Sequence, residues 1–276
     1  GWWFFRAAPW GWPPGASPDL GIELASSVAL ADALPLFAFP FKLLAPVLPP
    51  QFQYWGLWFL LCFALQAWFG YRLARALGIE PPLALIAALF AVAYPPFLNR
   101  ISYHMALGGH WSILAALYLY VRPTSARWAW PLLLGTLAAV HGYLLAICGA
   151  LWVASLVQRL WVRSASPLAL LAETAATFAS VFAILYLTGT FMVRGLGGGG
   201  YSLYALNLVS FFDADGWSSI VPDLQTGYET RVFSGIGILL LTAATLPAAL
   251  KSAHTVLARR WLPLAVAFIL LTLYAL

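Results

Sequence analysis

The chain has 276 residues, 63% of them hydrophobic and 8% charged, with a formal net charge of +5 and a mean hydropathy of +0.86. Soluble domains carry about a quarter of their residues as charged side chains, so the composition excludes an ordinary water-soluble globule. The basic residues form no dense patch, which argues against a nucleic-acid partner, and the two cysteines, Cys62 and Cys148, lie inside apolar runs, which argues against a disulfide framework.

The fold class expected is all-α: a polytopic transmembrane helix bundle, with about eight apolar runs of the length that crosses a bilayer. Residues 1–276 read as a single transmembrane domain, truncated at both ends. The chain opens on GWWFFRAAPWGWPPG, an aromatic, basic and proline-broken stretch that suits the membrane interface. Leu24 to Leu48 is apolar but interrupted by Asp32, Pro35, Pro40 and Lys42. It reads as a re-entrant or interfacial helix packed against the others, so that residues 1–50 form an outer segment.

The clearest span runs from Gln51 to Ile79 and is closed by Arg72 and Arg75. Further spans are expected at Pro82 to Phe97, Ala106 to Val121, Trp128 to Tyr143, Leu144 to Val162, Leu168 to Val193, Phe233 to Leu250, and from Trp261 onward. Cytoplasmic loops are enriched in Lys and Arg. With Arg72 and Arg75 inside, the groups Arg122 with Arg127, Arg159 with Arg163, and Lys251 with Arg259 and Arg260 all fall inside as well. The turn 99–110, the turn 141–143 and the long loop 194–231 then lie outside. So do Asp19, Glu23, Asp32, Asp213, Asp215, Asp223 and Glu229, which are seven of the nine acids. The outer face therefore holds the polar chemistry.

Three outer clusters are candidates. In PDLGIELASSVALAD, Asp19 and Glu23 are four residues apart, which puts both on one side of a helical turn. Such a pair suits a general base and its orienting partner, or a divalent cation as cofactor. Glu23 is the first choice for a catalytic acid, followed by Asp32 and Asp19, because carboxylates among apolar residues are costly unless they have a role. The second cluster, NRISYHMALGGH, offers Arg100, Tyr103, His104 and His110 to a phosphate or diphosphate. Its histidines are six apart, not the i, i+4 pair of a helical zinc site, so no metal is assigned. His141, alone in a tight turn, reads as a packed hydrogen-bonding residue. In the long loop, Asp213 and Trp217 stand in DADGWSS beside further aromatics, a composition that suits a sugar. Its tetraglycine lacks the Lys-Ser/Thr of a phosphate loop, and no Gly-x-Ser-x-Gly, His-Glu-x-x-His or dinucleotide fingerprint is present.

The stretches GWWFFRAAPWGWPPG, GIELASSVALADALPL, FQYWGLWFLLCF, and GWSSIVPDL followed by GYE and GIGILLL together resemble an uncharacterised bacterial family of multi-pass membrane proteins. That family has the general layout of the GT-C glycosyltransferase superfamily. The resemblance implies a polyprenyl-phosphate sugar donor and a catalytic acid in the first outer loop, a position that Asp19, Glu23 and Asp32 approach and that the residues before Gly1 also share. It further implies residence in the bacterial inner membrane, among membrane lipids. A transporter or flippase of lipid-linked saccharides and a non-catalytic assembly subunit are the rival expectations.

Overall fold

A computed structural model describes residues 1–20, 26–122, 128–192, 205–224, 232–252 and 256–276. Among them the protein is mostly helical, as its sequence leads one to expect. A two-residue antiparallel ribbon, β1 (Ala16–Ser17) with β2 (Ser26–Ser27), is the exception.

The N-terminal segment holds two short helices, α1 (Trp2–Ala7) and α2 (Pro35–Leu43). Proline opens α2, where its missing N–H costs nothing. Arg6 of α1 donates to the carbonyls of Ala45, Leu48, Pro49 and Pro50, and Trp2 donates through Nε1 to Phe52 O. Lys42 is 5% exposed, with Nζ 4.0 Å from the Phe5 ring and 4.4 Å from that of Trp10. Cation–π contact thus replaces the water that the ammonium loses.

Eight helical stretches follow: α3 (Trp55–Ala76); α4 (Pro81–Val92) continued by α5 (Pro95–Tyr103); α6 (Trp111–Val121); α7 (Ala129–Ala138); α8 (Gly142–Trp161); α9 (Pro167–Leu187); α10 (Ile236–Ser252); and α11 (Val256–Ala275). Their positions match the expected spans, but their lengths do not give eight crossings. Among the described residues α3, α8 and α9 are long and apolar enough to cross a membrane, and the bent pair α4–α5 is a broken span or a re-entrant loop, a fourth crossing only in the first case. The cause is punctuation. Pro95 and Pro96 break the second run with a 41° bend, and His141 with Gly142 splits α7 from α8. The ten residues of α7 rise only about 15 Å, half of a hydrocarbon core.

The buried stripe of α3 is Trp58, Cys62, Gln66, Gly70 and Ala74, one residue every fourth position. It shrinks along the helix, and this lets α4 close in. A Cβ on Gly70 would meet the Ala91 Cβ at 3.1 Å. Gln66 also repairs the break. Pro95 has no N–H for the carbonyl of Ala91, and Gln66 Nε2 donates to that carbonyl at 3.0 Å.

The bundle has two chemically distinct ends. At one, Arg72 Nη2 donates to Tyr118 OH, and Arg260 O accepts from Tyr120 OH and Gln158 Nε2. There too Arg159 makes a bidentate ion pair with Glu173, at 2.8 and 2.6 Å, with Trp152 Nε1 donating to the same carboxylate. This is the basic end. The N-terminal segment covers the other, the cap end. Gly15 N donates to Leu187 O, Trp12 Nε1 donates to Tyr186 OH, and Leu36 N donates to Ala139 O. A side chain at Gly15 would collide with Thr188 O at 2.3 Å, so only glycine lets the segment dock so closely.

Candidate functional site

The cap end carries a polar cluster built from three chain turns. The first is the turn 29–34, where Asp32 and Leu34 both take left-handed backbone, with φ of 46° and 50°. For residues with side chains each such conformation costs on the order of 1 kcal/mol and persists only where surroundings enforce it. Here the Tyr54 hydroxyl donates to Ala33 O, Leu34 is fully buried, and Leu36 N is bonded to Ala139 O at 2.8 Å. The turn drives Ala33 and Leu34 inward and leaves Asp32 exposed.

The second turn is the break between α7 and α8. His141 is extended there and caps α8, its Nδ1 accepting from Tyr143 N at 3.2 Å. The ring rests 5.1 Å from that of Tyr143. Burial lowers the His141 pKa below the ordinary histidine value, the Asp32 carboxylate pulls it back up, and His104 adds to the lowering. Burial, helped by the charge of Asp32, also raises the Tyr54 phenol. Asp32, His104, His141 and Tyr54 therefore form one electrostatic neighbourhood.

The third turn follows α5. His104 is exposed at its C-terminal end, and His110 immediately precedes the first residue of α6. Burial, with Arg100 close by, pushes His110 down to about 4, so it is neutral at pH 7. Its ring lies 6.0 Å from that of Phe97, which in turn meets Phe63 edge-on at 5.2 Å.

Beyond Phe97 an apolar groove of about 450 Å³ runs between α3 and α5. Phe59, Phe63, Leu98, Ile101, Ser102 and Met105 line it. The Ser102 hydroxyl is turned onto Leu98 O, so the lining presents hydrocarbon. Trp58 Nε1 holds Met105 O at 2.7 Å and fixes the groove's end beside His104.

A family model described as a domain of unknown function, DUF6311, matches residues 1–276. The chain belongs to the DUF6311 family. No curated protein and no solved structure matches it.

In this DUF6311 chain the sequence-derived candidates fare differently. Asp32 and His104 each act on the charge of His141, and Arg100 is brought near His110. Asp19 is exposed in the turn after β1. Glu23 lies outside the described residues, as does the side chain of Tyr103. So do 193–204 and 225–231, which include the tetraglycine. Asp213 is fully buried, and its Oδ1 accepts from Asp215 N and Leu224 N, each at 3.1 Å. That carboxylate shapes its own loop, while Trp217 beside it is exposed. The segment is tied to the cap end by Leu206 N donating to Ala275 O. Among the described residues no three of His, Cys, Asp and Glu converge as a metal would require.

Two members of the cluster escaped the sequence reading. His141 gave a signal, a lone histidine at a helix break, but read as packing. Tyr54 gave none, being one aromatic among many. Chemically, the DUF6311 cluster offers an exposed carboxylate, a neutral histidine with one fixed nitrogen, and a second histidine. The second histidine, His104, adjoins Met105 at the end of the apolar groove.

Proposed function

We propose that this DUF6311 protein is a membrane glycosyltransferase that takes its sugar from a polyprenyl-phosphate donor on the extracytoplasmic face of the bacterial inner membrane. The observation that carries this reading is the exposed Asp32 carboxylate at the cap end, where its charge acts on His141, together with the apolar groove of α3 and α5 that ends beside His104.

The groove suits a hydrocarbon tail, and His104 and Arg100 suit the phosphate that follows it. Asp32 takes the proton from the acceptor hydroxyl. The hydroxyl oxygen bonds to the sugar's anomeric carbon, and the bond from that carbon to the phosphate oxygen breaks. Its electron pair leaves with the polyprenyl phosphate. Tyr103, His110 and Trp217 are the residues around which sugar and acceptor are proposed to bind, and Glu23 and Asp19 are the alternative candidates for the catalytic acid. The basic end lies in the cytoplasm in this reading. The shorter helices α6, α7 and α10, with α11, complete the crossing among the others, with their ends sheltered by protein.

Two polar groups within the bundle speak against a transport path. Gln66 is held on Ala91 O and Glu173 is neutralised by Arg159, so both serve packing. The proposal is tested by incubating the purified protein in lipid nanodiscs with labelled polyprenyl-phosphate sugars and a saccharide acceptor. Release of polyprenyl phosphate with matching glycosylation of the acceptor is expected. No release from any donor by the wild-type protein would overturn it.

A further inference from the structure

We propose that the loop 205–224 lies on the lipid headgroups at the cap end, and that its exposed apolar side chains form a membrane-docking surface. This is independent of the glycosyltransferase reading.

The loop is turned inside out relative to one made for water. Its polar side chains serve its own backbone. Asn207 Oδ1 accepts from Val209 N at 3.0 Å, and Ser218 Oγ accepts from Ile220 N and Val221 N at 3.2 and 3.1 Å. The buried carboxylate of Asp213 accepts from Asp215 N and Leu224 N. The side chains turned outward are hydrocarbon instead. Leu208, Val209, Phe212, Ile220 and Leu224 are all exposed, Ile220 to 82%. Apolar surface of this kind marks a contact with lipid or with protein.

Depth decides between the two. Leu206 N donates to Ala275 O at 2.6 Å, so the loop sets out from the end of α11. The other end of α11 is fixed at the basic end, where Arg260 O accepts from Tyr120 OH and Gln158 Nε2. From Arg260 to Ala275 the helix rises only about 22 Å, short of the roughly 30 Å of hydrocarbon in a bilayer. Between those residues Val266, Ile269, Leu270 and Leu273 are exposed, the surface of a helix that faces lipid. A helix that falls short leaves its last residues, and Leu206 with them, at the edge of the hydrocarbon. Tyr274 is 72% exposed there, and tyrosine is enriched at that edge. The loop therefore starts at lipid depth and not in water. Ser219 and Asp223 stay exposed and polar, which suits headgroups and not the bilayer interior. A docked loop also holds Trp217 at headgroup depth, level with the sugar of a lipid-linked donor; that consequence alone rests on the functional reading.

A nitroxide on Ile220→Cys reads the surroundings of the loop directly. The full chain is placed one copy to a nanodisc of phosphatidylethanolamine and phosphatidylglycerol. Dissolved oxygen, which concentrates in lipid, and a water-soluble nickel chelate then compete to relax the label. The ratio of oxygen to chelate collisions is expected to exceed that of the free label in buffer several-fold. Leu208→Cys, on the same loop, should give the same result. A ratio equal to that of the free label at both positions would put the loop in water and overturn the proposal. Protection from oxygen and chelate alike would show the face packed on protein, and that would overturn it too. Neither outcome depends on whether the protein transfers sugar.

Discussion

The amide of Leu36 donates to the carbonyl of Ala139 at 2.8 Å, and this bond joins parts of the chain that the sequence keeps far apart. One end of it belongs to the first turn of α2, four residues after Asp32. The other belongs to the turn that presents His141. The cluster at the cap end exists because the N-terminal segment is fastened there.

The sidedness of the bundle is open to direct test. Cys62 and Cys148 are fully buried and should be silent to an impermeant thiol reagent. Asp19→Cys, in an exposed turn at the cap end, should be labelled from outside the cell. Ser164→Cys, exposed at the basic end between α8 and α9, should react only after the membrane is opened. The reverse pattern would invert the topology.

Filling the groove should separate tail binding from chemistry. Ser102 is exposed and lines the groove, so Ser102→Trp adds bulk without disturbing the core. The KM for a long-chain donor should rise about tenfold, which corresponds to about 1.4 kcal/mol. The KM for a donor with a short prenyl chain should change little, and kcat should hold for both. Equal effects on the two donors would count against a tail in this groove.

The pair Arg159–Glu173 should be the costliest surface-remote contact to break. Glu173 is 8% exposed, so Glu173→Ala leaves a buried guanidinium without its partner, at a cost of about 3 kcal/mol or more. Thermal unfolding in a fixed detergent should show a clear drop in Tm. Replacing both residues by Met should restore much of it. A single mutant as stable as the wild type would mean that water reaches the pair.

His110 should make the cap end acid-sensitive. Its pKa is pushed below the unfolded value of 6.5 to about 4, so the folded chain binds fewer protons than the unfolded one between those values. Stability from this group is intact above pH 6.5 and is lost as the pH falls toward 4. His110→Gln should flatten the dependence of Tm on pH in that window. An unchanged slope would assign the acid sensitivity to other groups.

Much of the helical layout is legible in the residues. Arg72 and Arg75 mark the end of α3, Pro95 with Pro96 marks the bend after α4, and Ser166 with Pro167 opens α9. Length was harder to read. The run from Trp128 to Tyr143 is apolar but for Thr136 and His141, and only the backbone shows that the chain turns so early that α7 keeps ten residues. The site was legible in its pieces. Asp32 and His104 stand out as polar residues amid apolar ones. That the turn of Asp32 is fastened against the turn of His141 depends on one backbone hydrogen bond between remote segments, and no local pattern encodes that. Asp213 shows the opposite case. Its composition looks like a ligand site, yet its carboxylate is held by two amides of its own loop.

The most direct measurement is the turnover number of Asp32→Asn against those of Glu23→Gln and Asp19→Asn, with labelled polyprenyl-phosphate sugar and protein of matched Tm. The account predicts that Asp32→Asn loses turnover by roughly two orders of magnitude or more, with KM for the donor unchanged. It also predicts that Asp19→Asn stays near the wild-type rate. Near-normal turnover in Asp32→Asn, with the loss appearing in Glu23→Gln instead, would contradict it and take the chemistry away from the turn of Asp32.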